Sequence, residues 1–308
     1  MSFEQSHWVW MNGKIVPWQN ATLHVSSHAL HYGSGVFEGI RCYDTALGPA
    51  IFRLPEHLER LCQSAQFYDL KIPYTSAQLD SAVCEVVRRN EFKSCYVRPI
   101  AYYGSASLGV HPRNNPTETA IIAWPWAPFL NKNGESQGVR ICISPWRKFH
   151  STMMPTAAKA CGQYINSILA VQDAHRRGFD EALLLDKNES IAEGSGENLF
   201  VVKDGRVLTN DSRHSILMGV TRDSVLQLAR DNGISVETRD LQLDDLASAD
   251  EAFFTGTAVE VTPISEIENH RTWPGAPGPI TKKLADLYRA ATTGRDSRYH
   301  HWLRPVAG

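Results

Sequence analysis

The first residues of the chain carry the pattern of a β-hairpin. Residues 8–11 and 14–16 are short runs of aromatic and branched aliphatic side chains, and Asn12-Gly13 between them favours a tight two-residue turn. Apolar runs at residues 36–43 and 50–54 predict a second pair of strands. The chain therefore begins with sheet-forming segments.

The first strand of this second pair is predicted to present different side chains on its two faces. Phe37, Gly39 and Arg41 share one face, while Glu38 and Ile40 share the other. An aromatic ring beside a glycine is suited to line a pocket. Ordinary packing within a sheet explains the same pattern, so both interpretations remain open.

A change of period follows the first strands. Apolar residues recur at helical spacing over residues 55–68, and a second helical pattern follows Ser76, which we expect to cap that helix. Residues 95–103 then predict a strand. On it Tyr96 and Arg98, two positions apart, should point the same way.

The composition changes after a strand predicted at residues 119–126. Residues 127–138, APFLNKNGESQG, have the polar, glycine-containing composition of a linker. We therefore expect one domain at residues 1–126 and a second at residues 139–308. The second domain contains short strand patterns separated by turns, with two helical patterns among them.

Composition and charge narrow the class of protein. The chain has 308 residues, of which 43% are hydrophobic and 21% charged, and its formal net charge is −2. These values are typical of a globular protein and give no electrostatic reason to expect nucleic acid or an anionic membrane as a partner. The six cysteines lack C-x-x-C spacing, so we expect reduced thiols. With no targeting or membrane-spanning segment, we expect a cytoplasmic protein that binds small molecules and copies of itself.

Lys159 is the most unusual charged residue of the sequence. It is the only formal charge in residues 151–172, STMMPTAAKACGQYINSILAVQ, and its neighbours are alanines and a glycine. A lysine enclosed by small and apolar residues is desolvated, which lowers the pKa of its amine toward the range where the amine attacks a carbonyl. Alternatively, the stem of Lys159 is buried and its ammonium group reaches water. The segment alone permits both interpretations.

The same segment cannot be one straight helix that presents both Lys159 and Tyr164 to a single site. Five helical residues rotate the side-chain direction by about 140°. Gly162 is a natural break between an extended segment and a helix that follows it.

Two further segments are suited to hold a phosphate group. Residues 218–223, MGVTRD, read as a loop that enters a helix, and the first N–H groups of a helix attract anions. Thr257-Ala258 lies in a turn after a predicted strand. Helix starts are common and most bind no anion, so a helix start alone is weak evidence for a phosphate site. Histidine spacing typical of zinc sites is missing from the sequence, and we expect no metal.

Seven motifs follow one another in order along nearly the whole chain: HALHYGSGVFEGIR at 28–41, AIFRLPEHLERL at 50–61, YVRP at 96–99, PTAAKACGQY at 155–164, AEGSGENLF at 192–200, MGVTRD at 218–223 and TGTAVEVTPI at 255–264. Together they resemble the motifs of the branched-chain aminotransferases, which are fold-type IV pyridoxal-phosphate enzymes. The resemblance favours the desolvated, chemically active interpretation of Lys159.

The resemblance implies pyridoxal 5'-phosphate as the cofactor and a role for several residues. Lys159 would bind the cofactor covalently, then move the proton between the substrate Cα and the cofactor C4′. Glu193 would face the pyridine nitrogen and Tyr164 would bond to the ring oxygen. The implied phosphate contacts are Arg53, the backbone amides of Val220 and Thr221, and Thr257.

The resemblance also implies a substrate site. The amides of Thr257 and Ala258, with Tyr96, would receive the α-carboxylate. Arg98 would serve the second carboxylate of glutamate, because that charge is costly to bury without a cation. The other implied pocket residues are Phe37, Gly39, Trp126 and Phe129, with Tyr32 and Val110 from a neighbouring subunit. Many bacterial members have tyrosine where this chain has Phe129, so one pocket hydroxyl is missing.

The implied fold is α+β, of mixed α/β character. It has a small N-terminal α/β domain, a larger C-terminal strand-rich domain and the site between them. The implied activity is ping-pong transfer of the amino group of L-leucine, L-isoleucine or L-valine to 2-oxoglutarate, by a homodimer or homohexamer. D-amino-acid aminotransferase and aminodeoxychorismate lyase share this fold, and a non-catalytic protein that holds a phosphorylated ligand is a further alternative. EGIR with YVRP favours the L-branched-chain activity.

Overall fold

The computed structural model describes residues 5–126, 138–213 and 215–307. In these ranges the α-helices are α1 (His28–Tyr32), α2 (Leu54–Gln66), α3 (Ser76–Arg89), α4 (Tyr164–Arg176), α5 (Val220–Asp231), α6 (Leu243–Ala247) and α7 (Pro279–Thr292). The strands are β1 (Trp8–Met11), β2 (Lys14–Pro17), β3 (Gly35–Phe37), β4 (Ile40–Thr45), β5 (Gly48–Phe52), β6 (Cys95–Tyr103), β7 (Thr117–Trp124), β8 (Val139–Ile143), β9 (Glu181–Leu185), β10 (Ile191–Gly194), β11 (Asn198–Lys203), β12 (Arg206–Thr209), β13 (Val236–Thr238), β14 (Glu251–Gly256), β15 (Glu260–Ile267), β16 (Arg271–Thr272) and β17 (Leu303–Pro305). The mixed α and β content confirms the predicted fold class.

The chain forms two compact units. The first comprises Met1–Ala127, Ala158–Gln163 and Ala290–Gly308, and the second comprises Pro128–Ala157 and Tyr164–Arg289. The segment that carries Lys159 therefore belongs to the first unit, although it is far from the rest of that unit in sequence. The predicted division into two consecutive domains, joined by residues 127–138, therefore differs from the observed units, because two later segments of the chain belong to the first unit.

The first unit is built on an antiparallel sheet. Among the described residues its strand order is β17-β5-β4-β6-β7-β1-β2, with β3 also paired to β6. The predicted hairpin is confirmed, because Asn12 and Gly13 at the turn have φ values of 48° and 86°, the positive values that a type I′ turn needs. Helices α2 and α3 bury Leu58 and Leu79, among other apolar residues, in the core of this unit.

The cap of α3 differs from the prediction by one residue. Thr75, not Ser76, precedes the helix, and its hydroxyl accepts a hydrogen bond from the N–H of Gln78 at 3.2 Å. The Gln78 side chain accepts one in return from the N–H of Thr75 at 2.8 Å. This reciprocal capping box requires a partner three residues after the cap, which selects Thr75 over Ser76.

The strand predicted at residues 36–43 is two strands in the structure. β3 and β4 both pair with β6, but Glu38 and Gly39 between them are outside regular strand structure. Glu38 donates its N–H to the carbonyl of Pro99 at 2.9 Å. Proline has no N–H to donate in return, so the ladder of hydrogen bonds is interrupted opposite it.

The second unit contains a mixed sheet. In the described part of the chain its strand order is β10-β9-β8-β15-β14-β11-β12-β13, with β16 at the side of β15. Three of its pairings, β8 with β9, β8 with β15, and β12 with β13, are parallel. Helix α4 buries small residues, Ser167, Ala170 and Ala174, while Ile165 and Ile168 are exposed.

Two further expectations concern the whole chain. All six cysteines are free thiols in the structure. No helix in the described ranges is long and apolar enough to cross a membrane.

Candidate active site

The Lys159 segment is extended and held from two sides within the first unit. Ala160 forms an isolated antiparallel bridge with Val36, and the N–H of Phe37 donates to the carbonyl of Lys159 at 3.0 Å. The N–H of Lys159 donates to the Ser64 hydroxyl of α2, also at 3.0 Å. Both hydrogen-bonding groups of the Lys159 backbone therefore have partners, which fixes the origin of the side chain.

Glycine at position 33 allows this segment to approach α1. Gly33 has a φ of 63°, and a Cβ there would lie 2.6 Å from the Cα of Gly162. The carbonyl of Gly33 accepts a hydrogen bond from the N–H of Gly162 at 3.0 Å. The break predicted at Gly162 is confirmed, since a 3₁₀ turn at Cys161–Gln163 separates the extended segment from α4.

The Lys159 amine has an unusually low affinity for protons. Burial and the charges of Arg60 and Arg98 lower the pKa of Lys159, and the net result of all its neighbours is a fall from 10.5 to about 8. Glu38 and Tyr96 act in the opposite direction. The desolvation expected for Lys159 is thus present, and a substantial fraction of the amine is neutral near pH 8.

Glu38 and Arg60 are neighbours of Lys159 that sequence reasoning did not select. The guanidinium of Arg60 donates from Nε to Oε1 of Glu38 at 2.6 Å and from Nη2 to Oε2 at 2.8 Å. His57 Nδ1 lies 2.7 Å from Oε2 of Glu38. Burial alone would raise the pKa of Glu38, but the charges and hydrogen bonds of Arg60 and His57 hold this pKa well below 4.5.

A signal for this cluster is visible in α2. His57, Arg60 and Ser64 lie at spacing i, i+3 and i+7, so they form a polar stripe on one side of the helix. His57 and Ser64 are buried beside the apolar residues of this helix, and buried polar side chains require polar partners. The sequence alone does not show that Glu38 and Lys159 are those partners.

Arg53 lies in a different environment from Arg60. It precedes α2 with a φ of 50°, and its Nε donates to Glu56 at 2.7 Å. Its guanidinium carbon lies 5.2 Å from the ring centre of Trp302. The charge of Arg60, by contrast, lowers the pKa of Lys159.

Tyr96 and Arg98 meet on one face of β6, as predicted. Nη2 of Arg98 donates to the Tyr96 hydroxyl at 3.4 Å, and the Arg98 guanidinium carbon lies 4.6 Å from the ring centre of Phe37. The same carbon lies 5.7 Å from the ring centre of Trp124. A Cβ on Gly39 would lie 1.8 Å from the Tyr96 hydroxyl oxygen, so glycine is needed there for this arrangement.

Other predicted substrate residues lie in the same unit. The Trp126 ring packs on Tyr96 with ring centres 4.9 Å apart. Tyr32 is 45% exposed and donates its hydroxyl to the carbonyl of Leu108 at 2.7 Å, and Val110 in the same loop is 81% exposed. Phe129, the remaining predicted wall of the pocket, lies outside the described residues.

Glu193 is a buried carboxylate of the second unit. It is the penultimate residue of β10 and precedes a tight turn in which the N–H of Gly194 donates to the carbonyl of Glu197 at 2.7 Å. Lys148 Nζ lies 2.7 Å from Oε1 of Glu193, and the N–H of Leu217 donates to Oε2 at 2.9 Å. These contacts fix the position of the carboxylate.

The predicted anion-binding segments are also in the second unit. Helix α5 begins at Val220, and its first intrahelical hydrogen bond runs from the N–H of Asp223 to the carbonyl of Gly219. The amides of Val220 and Thr221 precede that bond, as an anion site requires. Thr257 and Ala258 form the turn between β14 and β15.

Tyr164 is the remaining predicted contact of the cofactor ring. Tyr164 begins α4 and is half-buried. No group of three or more metal-binding side chains occurs within residues 5–126, 138–213 and 215–307.

Comparisons with known proteins identify the family. The family described as Amino-transferase class IV matches residues 35–267. The chain is 40% identical to a branched-chain-amino-acid aminotransferase of Salmonella typhimurium over 307 residues, which cover 99% of each chain. The Escherichia coli branched-chain amino acid aminotransferase structure gives 40% identity, a TM-score of 0.95 and coverage of 98% and 100%. The structure of the branched-chain amino acid aminotransferase from Thermobaculum terrenum in its PLP form gives 37% identity, a TM-score of 0.92 and coverage of 99% and 100%. The chain therefore belongs to the class IV aminotransferases, as the sequence motifs indicated.

Proposed function

We propose that this enzyme transfers the amino group of L-leucine, L-isoleucine and L-valine to 2-oxoglutarate, with pyridoxal 5'-phosphate as its cofactor. The observation that carries this proposal is the Lys159 amine, held by its backbone on both sides and with a pKa lowered to about 8. Full-length similarity to branched-chain aminotransferases supports the substrate class.

The residues present fit the cofactor. An amine with a lowered pKa, a buried carboxylate at Glu193 and the first amides of α5, which precede its first intrahelical hydrogen bond, are the groups that an aldehyde, a pyridine nitrogen and a phosphate require. When bound, pyridoxal 5'-phosphate supplies the carbonyl that takes up the amino group and a ring that withdraws electrons.

Lys159 has two tasks in this reaction. Its neutral amine would hold the cofactor covalently, and the same amine would serve as the base and acid for the proton at the substrate Cα. A base with a pKa near the working pH is suited to both directions of this transfer. Glu193, held by Lys148 and the N–H of Leu217, would face the pyridine nitrogen and favour its protonated form.

Several residues would hold the phosphate and the α-carboxylate. The amides of Val220 and Thr221, with Thr257, would contact the phosphate, and Thr257 and Ala258 would contact the α-carboxylate with Tyr96. Two arginines are candidates for the phosphate site. The sequence motifs favour Arg53, whereas the charge of Arg60 acts on Lys159, and we propose Arg60 as the nearer partner of a phosphate bound there.

Substrate recognition must serve both an aliphatic side chain and a second carboxylate. Phe37 and Trp126 are apolar walls for leucine, and Tyr164 would bond to the cofactor ring oxygen. Arg98 has a buried Nε without a hydrogen-bond partner among the described residues, so this group is available to a substrate carboxylate. The aromatic rings around Arg98 stabilise its charge when leucine is bound.

We further propose a cytoplasmic homodimer or homohexamer. Exposed apolar residues cluster on the first unit around α1 and the loop that contains Val110, and patches of this kind mark contacts between proteins. The Tyr32 hydroxyl and His28 both hydrogen-bond backbone carbonyls of that loop, at 2.7 and 2.9 Å, so the two segments form one surface. Tyr32 and Val110 would contribute to the pocket of a neighbouring subunit.

A panel of amino acids tests the proposal. Purified enzyme is incubated with 2-oxoglutarate and each amino acid in both enantiomers, and glutamate formation is measured. We expect activity with L-leucine, L-isoleucine and L-valine and none with their D forms. The visible absorption of the purified enzyme should also change on addition of L-leucine. Glutamate formed from D-amino acids alone would favour D-amino-acid aminotransferase, and an unchanged spectrum would exclude transamination.

A further inference from the structure

Glu38 is a fully buried carboxylate without a role in the reaction described above. Its exposed fraction is 0%, and four donors surround it. Arg60 donates to both oxygens, His57 lies 2.7 Å from Oε2, and the N–H of Gly39 donates to Oε2 at 3.3 Å. A buried charge is costly unless it is paired in this way, so its presence beside Lys159 requires an explanation.

The protonation of His57 follows from its neighbours. Glu38 is ionised, and an ionised carboxylate only accepts hydrogen bonds, so Nδ1 of His57 carries a hydrogen and donates it. Burial lowers the pKa of His57. His57 is therefore neutral, and the charges of the cluster are one negative charge on Glu38 and one positive charge on Arg60.

This cluster acts on Lys159 with two opposite effects. Arg60 disfavours a proton on the Lys159 nitrogen, whereas Glu38 favours it. The other groups that face Lys159 from packed elements of the first unit are Tyr96 and Arg98 of β6, and Arg98 also disfavours the proton. Without Glu38, two arginines would act on this nitrogen against a single tyrosine.

We propose that Glu38 is a positioning residue for the reaction, which holds Arg60 by a two-point contact and offsets its charge next to the Lys159 nitrogen. His57 supports this role as a neutral donor that fixes the second carboxylate oxygen. Glu38 thereby keeps the Lys159 nitrogen able to bind a proton while Arg60 remains close to it. The inference rests on the proposed function only in that Lys159 carries the cofactor.

The test is a pH titration of the holoenzyme followed by its visible absorption. This absorption reports the pH at which the Lys159 nitrogen, linked to the cofactor, takes up a proton. For Glu38→Gln we expect this pH to fall by about one unit, because one negative charge is lost at close range. For Arg60→Met we expect it to rise. The double variant, which loses both charges, should titrate close to the wild type.

Three further variants separate this role from a structural one. Glu59→Gln removes a carboxylate on the exposed side of the same helix, where it accepts a hydrogen bond from Gln63, and should titrate like the wild type. His57→Gln replaces one neutral donor by another and should also leave the titration unchanged. If Glu38→Gln does not fold, Glu38→Asp keeps the charge but is too short for the two-point contact, and a partial fall is expected.

Two outcomes would overturn the inference. One is an unchanged titration in both Glu38 variants, and the other is a shift in the same direction for Glu38→Gln and Arg60→Met. A loss of folding stability alone would lower the melting temperature without shifts of opposite sign. A wild-type protein without visible absorption or response to L-leucine would instead refute the proposed function, so the two failures are distinguishable.

Discussion

The Arg98 guanidinium carbon lies 4.6 Å from the centre of the Phe37 ring. Tyr96 and Trp124 place their ring centres 5.3 and 5.7 Å from the same carbon. A cation near the faces of aromatic rings is stabilised without a bound anion, by about 0.5–2 kcal/mol for each favourable contact. Arg98 can therefore keep its charge among these rings, as the proposed pocket for both leucine and glutamate requires.

Arg98→Met should impair the two substrate classes unequally. Truncating one member of a buried charge pair costs roughly 2–5 kcal/mol, and only glutamate and 2-oxoglutarate bring the second carboxylate. We expect kcat/KM for these two to fall at least about tenfold more than for leucine and its keto acid. Arg89→Met, on the exposed end of α3, is the control. Equal losses for both classes would restrict Arg98 to the shared α-carboxylate.

Lys159→Ala tests the covalent role of the amine. The variant should still bind the cofactor through its phosphate, but turnover should fall by at least about 10²- to 10⁴-fold, because a positioned proton-transfer group is lost. Borohydride reduction followed by mass measurement should attach the cofactor to the wild type and not to the variant. Lys71→Ala, an exposed lysine, should behave as the wild type. Covalent attachment in Lys159→Ala would assign the linkage to another lysine.

Predictions from local periodicity were confirmed where the contact itself is local. The meeting of Tyr96 and Arg98 follows from the two-residue period of a strand, and the turn at Asn12-Gly13 follows from its dipeptide. Thr75 as the cap of α3 was missed, although its partner Gln78 was visible in the sequence. All these features are determined by residues that are close in sequence, so they can be predicted from the sequence alone.

Contacts between distant segments could not be predicted in the same way. Lys159 was expected in the second domain, but the bridge between Val36 and Ala160 places its segment with the first unit. The contact of Glu38 with Arg60 depends on how a strand end faces a helix, which no local pattern specifies. For the same reason the sequence alone could not decide between Arg53 and Arg60 as the cation of a phosphate site.

The roles of Arg60 and Arg53 can be distinguished by measuring how strongly variants of each residue bind the cofactor. The charge of Arg60 lowers the pKa of Lys159, whereas Arg53 is paired with Glu56 and lies near the Trp302 ring. We expect Arg60→Ala to raise the dissociation constant of the cofactor at least roughly tenfold more than Arg53→Ala, which corresponds to about 1.4 kcal/mol. Equilibrium dialysis of the two variants measures this difference. The opposite order would return the phosphate contact to Arg53.

The pH dependence of the free energy of unfolding should reveal the shifted pKa values of His57 and Glu38. Burial lowers the pKa of His57 from 6.5, so as pH falls below 6.5 the unfolded chain takes up a proton that the folded chain does not. The pKa of Glu38 is held below 4.5, so a second loss of stability begins below that pH. Each group contributes at most about 1.4 kcal/mol per pH unit.

Urea unfolding at a series of pH values measures these contributions. Relative to the wild type, His57→Gln should lose less stability as pH falls from 6.5, and Glu38→Gln should lose less below 4.5. Both variants should be less stable than the wild type at neutral pH, because each disturbs a buried hydrogen-bonded pair. Parallel stability curves for wild type and variants would show that neither group changes its proton affinity on folding.

Glu193 and Lys148 form the last pair whose roles can be separated. Lys148 Nζ lies 2.7 Å from Oε1 of Glu193, and Oε2 accepts from the N–H of Leu217. In Glu193→Gln a neutral amide cannot keep the pyridine nitrogen protonated. We expect the variant to retain the cofactor while its rate of transamination falls by about 10²-fold or more, as for other losses of a preorganised charge.

Lys148→Met is the informative comparison. It removes the cation but leaves the carboxylate in place with its bonds from Leu217 and Asn198, so the ring nitrogen still has an anionic partner. Single-turnover rates with L-leucine, followed by absorption, should therefore fall less than in Glu193→Gln. If both variants lose the same rate, the ion pair acts as one unit and Lys148 is as necessary as the carboxylate. If Glu193→Gln instead loses the cofactor, its role is binding, because a group that only tunes the ring would leave the phosphate contacts intact.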